Sequence, residues 1–128
     1  MDAALRELVR DRAGARCEYC HLPQPFSELK FHVEHIIPRQ HGGSDTAENL
    51  ALACPECNLL KGPNLTGVDP ATGRVVRLFH PRRDKWPDHF VQHGARISGQ
   101  TPAGRATVSL LKMNHSQRLE VRTVVQGN

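Results

Sequence analysis

FHVEHIIP, residues 31–38, sets two imidazoles and a carboxylate, His32, Glu34 and His35, into a run otherwise made of Phe, Val and Ile. The apolar density and the stop at Pro38 predict a strand over Leu29–Ile37. A charge buried in such a strand costs several kcal/mol unless it is paired or bound to a metal. Three ionisable groups in one strand therefore point to a site as well as a core. Neighbouring residues on a regular strand face opposite ways, so Glu34 and His35 serve one centre only if the strand is distorted near Pro38. There a loop begins over residues 39–48, with the flexible pair Gly42-Gly43 and candidate caps at Ser44 or Asp45.

Two cysteine pairs bracket this stretch, Cys17 and Cys20 in CEYC, Cys54 and Cys57 in CPEC. Together they offer the four thiolates of a tetrahedral Zn²⁺ site, closed and therefore structural. The 33 residues between the pairs exceed an ordinary finger spacing, so a further structural unit is inserted there. A redox dithiol at CPEC is the rival reading; it leaves CEYC unexplained and finds no βαβ pattern around it.

Working outward, Ala3–Arg12 has helical spacing and ends at Gly14. Asn49–Ala53 predicts a second strand, and Pro55 opens a helix to about Lys61, stopped by Gly62-Pro63. The insert thus reads strand, long loop, strand, helix. Further on, residues 74–79 predict a strand, 80–86 a basic loop, 87–92 a short helix and 95–98 a strand. Thr101-Pro102 caps a helix with apolar positions at 103, 106, 110 and 113, and Asn114 opens a last helix over 115–125. No flexible linker interrupts the 128 residues, so one domain, 1–128, is expected, with a core at 17–62 and a basic extension at 63–128.

Charge separates the two halves. Residues 1–50 carry six Lys/Arg against eight Asp/Glu, and residues 51–128 carry eleven against five. A basic half predicts a polyanionic partner. With only six aromatic residues a base-stacking surface for single strands is not the expected mode. No apolar run approaches the roughly 20 residues of a membrane span. The amphipathic, charged MDAALRELVRDR lacks the apolar segment of a secretory signal. A soluble, cytoplasmic protein with no membrane partner is expected.

Taken in order, HVEHIIPRQHGG, NLALAC and CNLLKG resemble the HNH endonuclease family, in the variant with bracketing CxxC pairs. HPRRDKW and ARISGQTPAGRATVSLL resemble the tail of bacterial HNH proteins of this kind. The resemblance implies an α+β fold: a ββα-metal (His-Me finger) core braced by the Cys₄ zinc site, with additional C-terminal helices and a short hairpin. It implies that His35 is the general base and that Asn49 ties the loop to the hairpin. Glu34 and Asn58 would hold a catalytic Mg²⁺ or Mn²⁺; Asn58 stands where the family usually has His. The implied substrate is double-stranded DNA, cut by metal-dependent hydrolysis of a phosphodiester.

The chemistry of the residues agrees with those roles. An imidazole accepts a proton from water at neutral pH, and carboxylate and amide oxygens are hard ligands for Mg²⁺ or Mn²⁺. Arg39, Arg82, Arg83 and Lys85 are candidate phosphate contacts; His32 reads equally well as a further ligand or phosphate contact and as a solvated or hydrogen-bonded strand residue, and His41 reads as an exposed loop residue. One site nicks one strand; a double-strand cut implies sequential nicking or a homodimer, for which the helices after residue 101 offer a surface. Two other functions compete: a zinc-stabilised nucleic-acid-binding module without catalysis, which has no need of Glu34, His35 and Asn58 together, and a thiol–disulfide oxidoreductase.

Overall fold

The computed structural model describes residues 1–127, and the protein is a small α+β chain of helices and short antiparallel strand pairs. Its contacts define two compact units: Met1–Pro63 with Pro81–Arg83, and Asn64–His80 with the residues from Asp84 onward.

The first unit opens with α1 (Ala3–Arg12), capped by the Asp2 carboxylate, which accepts from Leu5 N at 2.8 Å. The chain leaves α1 through Gly14 and Ala15, both left-handed, and makes the turn that carries Cys17 and Cys20. Then β1 (His32–His35) pairs antiparallel with β2 (Leu50–Ala53), in the register His32 to Ala53, Val33 to Leu52, Glu34 to Ala51 and His35 to Leu50. The helix α2 (Pro55–Lys61) follows at once, with Cys54 as its cap and Pro55 at its first position. β2 is buried along its whole length, and with Val9, Tyr19, Phe31 and Ile36 it forms the core of this unit.

Both strands are shorter than the sequence predicts. Ahead of His32, the Gln24 side chain takes the hydrogen bonds a ladder would supply, donating to Leu29 O and accepting from Phe31 N. Past His35, Ile36 N–H still donates to the Asn49 backbone carbonyl, and the Asn49 side chain takes over both backbone groups of Ile37. The predicted strand start at Asn49 is instead the end of a 3₁₀ turn, Ala47–Asn49.

In the second unit, β3 (Thr66–Val68) pairs with β4 (Val75–Arg77), and β5 (Phe90–His93) with β6 (Arg96–Gly99). This part therefore holds two hairpins where the sequence predicts one. The helix expected over 87–92 is a single turn, α3 (Trp86–His89); from Phe90 the backbone extends because Phe90 pairs with Gly99. The last helices are α4 (Pro102–Leu110) and α5 (Ser116–Gln126). The core is Leu78, Phe79, Phe90, Ile97, Ala103, Ala106, Leu111 and Met113. The Phe79 and Phe90 rings meet edge to face at 5.0 Å. Close approach of α4 to β6 requires glycine at Gly99 and Gly104, where an added Cβ would lie 2.3 Å from Arg105 N and 2.1 Å from His89 O respectively.

Asp69 closes the β3–β4 turn, accepting from Ala71 N and the Thr72 hydroxyl, and receives both arms of Arg105 at 2.9 Å. Among the described residues no helix is long and apolar enough to cross a membrane.

Candidate active site and metal centre

The four cysteines converge. Their Sγ atoms all lie within 4.8 Å of one another, every one buried, and none is in a disulfide. Tetrahedral zinc with Zn–S near 2.3 Å demands sulfurs about 3.8 Å apart; Cys20 Sγ and Cys54 Sγ are 3.7 Å apart. Each pair forms the same small turn, with Cys20 N–H aimed at Cys17 Sγ and Cys57 N–H at Cys54 Sγ. Such donors favour thiolate, whereas burial pushes the Cys17 and Cys57 thiols well above their ordinary range. A bound cation resolves that conflict by deprotonating them. The geometry and the donor set suit a structural zinc site.

The hairpin between the cysteine pairs carries the remaining chemistry. Glu34, 9% exposed, faces Tyr19 and Lys61. Burial pushes its carboxyl up to about 7, against the opposing pull of Lys61 and Tyr19. Its Oε1 is buried and has no hydrogen-bond partner of normal geometry. Lys61, only 2% exposed, donates from Nζ to Ile36 O at 2.9 Å, and burial lowers its pKa while Glu34 raises it. Asn58 stands half-buried on α2, one turn after Cys54. Its side chain makes no hydrogen bond among the described residues.

His35 ends β1 on the opposite pleat from Glu34, since the register stays regular through the His35–Leu50 pair. The irregularity expected near Pro38 begins only at Ile36. His35 Nε2 meets Asp45 Oδ1 at 2.6 Å, and the same oxygen takes Arg39 Nε at 3.0 Å. The hydrogen bond from His35, followed by those from Arg39, holds the Asp45 carboxyl below the usual carboxylate range.

Asn49 organises the loop between them. Its Oδ1 accepts from Ile37 N, and its Nδ2 donates to Ile37 O and Ser44 O, all at 2.8–2.9 Å. Gly43 lets this happen: a Cβ there would sit 1.6 Å from Ile37 O.

The candidate phosphate contacts are placed differently from one another. Arg39 is exposed but engaged by Asp45. Arg82, 16% exposed, is ion-paired with Glu18, whose other oxygen accepts from Leu52 N. Arg83 in the first unit and Lys85 in the second are exposed. His32 and His41 face solvent.

Three residues escape the sequence reading. Asp45 reads as a loop cap in the sequence, and only the folded loop brings its carboxylate to His35. Lys61 looked like an ordinary helix end, and Tyr19 a spacer in CEYC; neither position announces burial against Glu34.

A two-stranded hairpin running into a short helix, clamped by two cysteine pairs, belongs to the ββα-metal class of folds. Residues 17–64, a little over a third of the chain, match the family model described as HNH endonuclease. No curated protein and no solved structure gives a match. An HNH domain implies a nuclease or nucleic-acid-related function, with DNA as the suggested substrate.

Proposed function

We propose that the protein is a metal-dependent endonuclease acting on double-stranded DNA. The observation that supports this best is the pairing of His35 with a carboxylate at the end of β1, beside a loop pinned by Asn49. His35 takes the proton of the attacking water, and Asn49 keeps the loop and strand end in place while it does so. Glu34 and Asn58 hold the divalent ion: both offer hard oxygens, and the Glu34 Oε1 lacks the partner that a buried carboxylate oxygen needs. Mg²⁺ or Mn²⁺ bound there supplies charge neutralisation at the phosphate and at the leaving O3′. In an in-line displacement, base and Lewis acid act on opposite sides of one phosphorus; with β1 regular through His35, Glu34 and His35 reach the same phosphate only once that strand end shifts. Phosphate contacts fall to Arg39, Arg83 and Lys85, with Arg82 retained as the partner of Glu18. All of the net positive charge is in the second unit, eight Lys/Arg against four Asp/Glu, while the first unit carries nine of each. That unit is the natural source of backbone affinity.

One observation favours the second reading, a zinc-stabilised nucleic-acid-binding module. Lys61 offsets part of the cost of a charge on Glu34, which weakens the case for a divalent ion there.

A plasmid assay with EDTA, Mg²⁺, Mn²⁺ or Zn²⁺ separates the two. The nuclease reading expects metal-dependent nicking or linearisation that falls about 100-fold or more in His35→Ala, with DNA affinity kept. Binding without cleavage under every metal would transfer the assignment to the module.

A further inference from the structure

We infer that Asp45 is a positioning residue for His35, fixing its hydrogen on Nε2 and leaving Nδ1 as the basic nitrogen. The inference rests on the reading of His35 as the base and adds a residue to that site. An ionised carboxylate only accepts hydrogen bonds, so at 2.6 Å from Asp45 Oδ1 the His35 Nε2 is the protonated nitrogen. A neutral imidazole carries one hydrogen, which leaves Nδ1 with its lone pair. Among the described residues nothing else bonds to the ring, so Nδ1 is open to a water.

Asp45 is itself held. Arg39 reaches its Oδ1 through Nε at 3.0 Å and through a terminal nitrogen at 2.9 Å. The loop bearing it is fixed one residue upstream, where Asn49 Nδ2 bonds Ser44 O. The carboxylate is 51% exposed against 20% for His35, so it contributes little to the core and its removal should leave the fold intact. Arg39 therefore acts first on Asp45, and its service to a phosphate would compete with that contact.

Asp45→Asn is the discriminating variant. Its carboxamide keeps the shape of the loop residue, but its N–H can donate to Nε2 and drive the ring hydrogen to Nδ1. Nitrogen NMR of histidine-labelled protein reads the tautomer directly, and cleavage of a short duplex reads kcat and KM. Expected are an Nε2–H His35 in the wild type, loss of that form in Asp45→Asn, and a kcat lowered about 100-fold with KM nearly unchanged. Asp45→Glu should restore part of the rate, and melting temperatures should stay together. An Nδ1–H His35 in the wild type, or an Asp45→Asn enzyme with wild-type kcat, overturns the assignment. Equal losses in kcat and affinity together with a lowered melting temperature also overturn it, because they would mark a plain loop contact. A wild type that holds the Nε2–H tautomer yet cleaves nothing under any metal overturns the nuclease reading and leaves the His35–Asp45 pairing standing.

Discussion

Asn49 shows how much one side chain can do when a strand must end without losing its hydrogen bonds. Its carboxamide serves both backbone groups of Ile37 and then reaches across to Ser44, replacing ladder bonds with side-chain ones. Gly43 is the counterpart, because the loop passes so close to Ile37 that no side chain fits. Gly43→Ala must therefore displace the loop from the strand end. We expect a loss of about 1–3 kcal/mol of stability, read by thermal or urea denaturation, with the His35–Asp45 contact disturbed as well. Unchanged stability would mean that the loop does not approach Ile37 as described.

At the scale of elements, periodicity and punctuation carried most of the first unit. Helix α1, the hairpin and α2 follow from apolar spacing, Pro38, Pro55 and Gly62, and the cysteine pairs announce where the hairpin must be clamped. The strand ends were hidden, since Gln24 and Asn49 substitute for ladder bonds from a distance and a local pattern cannot report that. β3 was missed because Thr66–Val68 is short and centred on Gly67, a poor strand former whose place is set by its partner β4. Residues 90–92 read as helix in the sequence because pairing with Gly99, a tertiary event, decides the backbone there. In the site, the cysteine spacings were legible, while the burial of Lys61 and the reach of Asp45 depend on how α2 and the loop pack.

The clamp itself makes a measurable claim. Four buried sulfurs, with burial pushing the Cys17 and Cys57 thiols well above their ordinary range, form an unstable centre until a cation is present, and structural zinc contributes on the order of 10 kcal/mol in small domains. Stripping the metal with a strong chelator should unfold the first unit, seen as a large drop in melting temperature that added Zn²⁺ reverses. Cys54→Ser should behave like the stripped protein. An unchanged melting curve after verified metal removal would count against the zinc site.

For the whole molecule, Asp69 in the second unit is the carboxylate whose pairing makes the clearest claim about acid stability. Arg105, with help from Ala71 N–H and the Thr72 hydroxyl, holds the Asp69 carboxyl well below the usual carboxylate range. In the unfolded chain that carboxyl titrates near the ordinary Asp value of about 3.9. A depressed folded pKa means the stabilisation is complete above that value and is lost as the pH falls below it through the folded one. Denaturation followed by the near-ultraviolet signal of Trp86 should thus weaken steeply below about pH 4, and Asp69→Asn should flatten the slope while lowering stability at neutral pH. A slope unaffected by Asp69→Asn would assign the acid sensitivity to other carboxylates.

The chain enters its first unit twice, the second time for Pro81–Arg83 alone, and those three residues bring Arg82 to Glu18. A fragment ended after Pro63 would abandon a mostly buried carboxylate without its guanidinium, a loss of about 3 kcal/mol or more. The HNH stretch is thus no portable cassette. Recombination, gene fusion or grafting onto another scaffold would have to carry Arg82 along, and with it the whole β3–β4 hairpin that lies between. Cysteine-clamped core and basic extension are bound to a common inheritance by a single arginine.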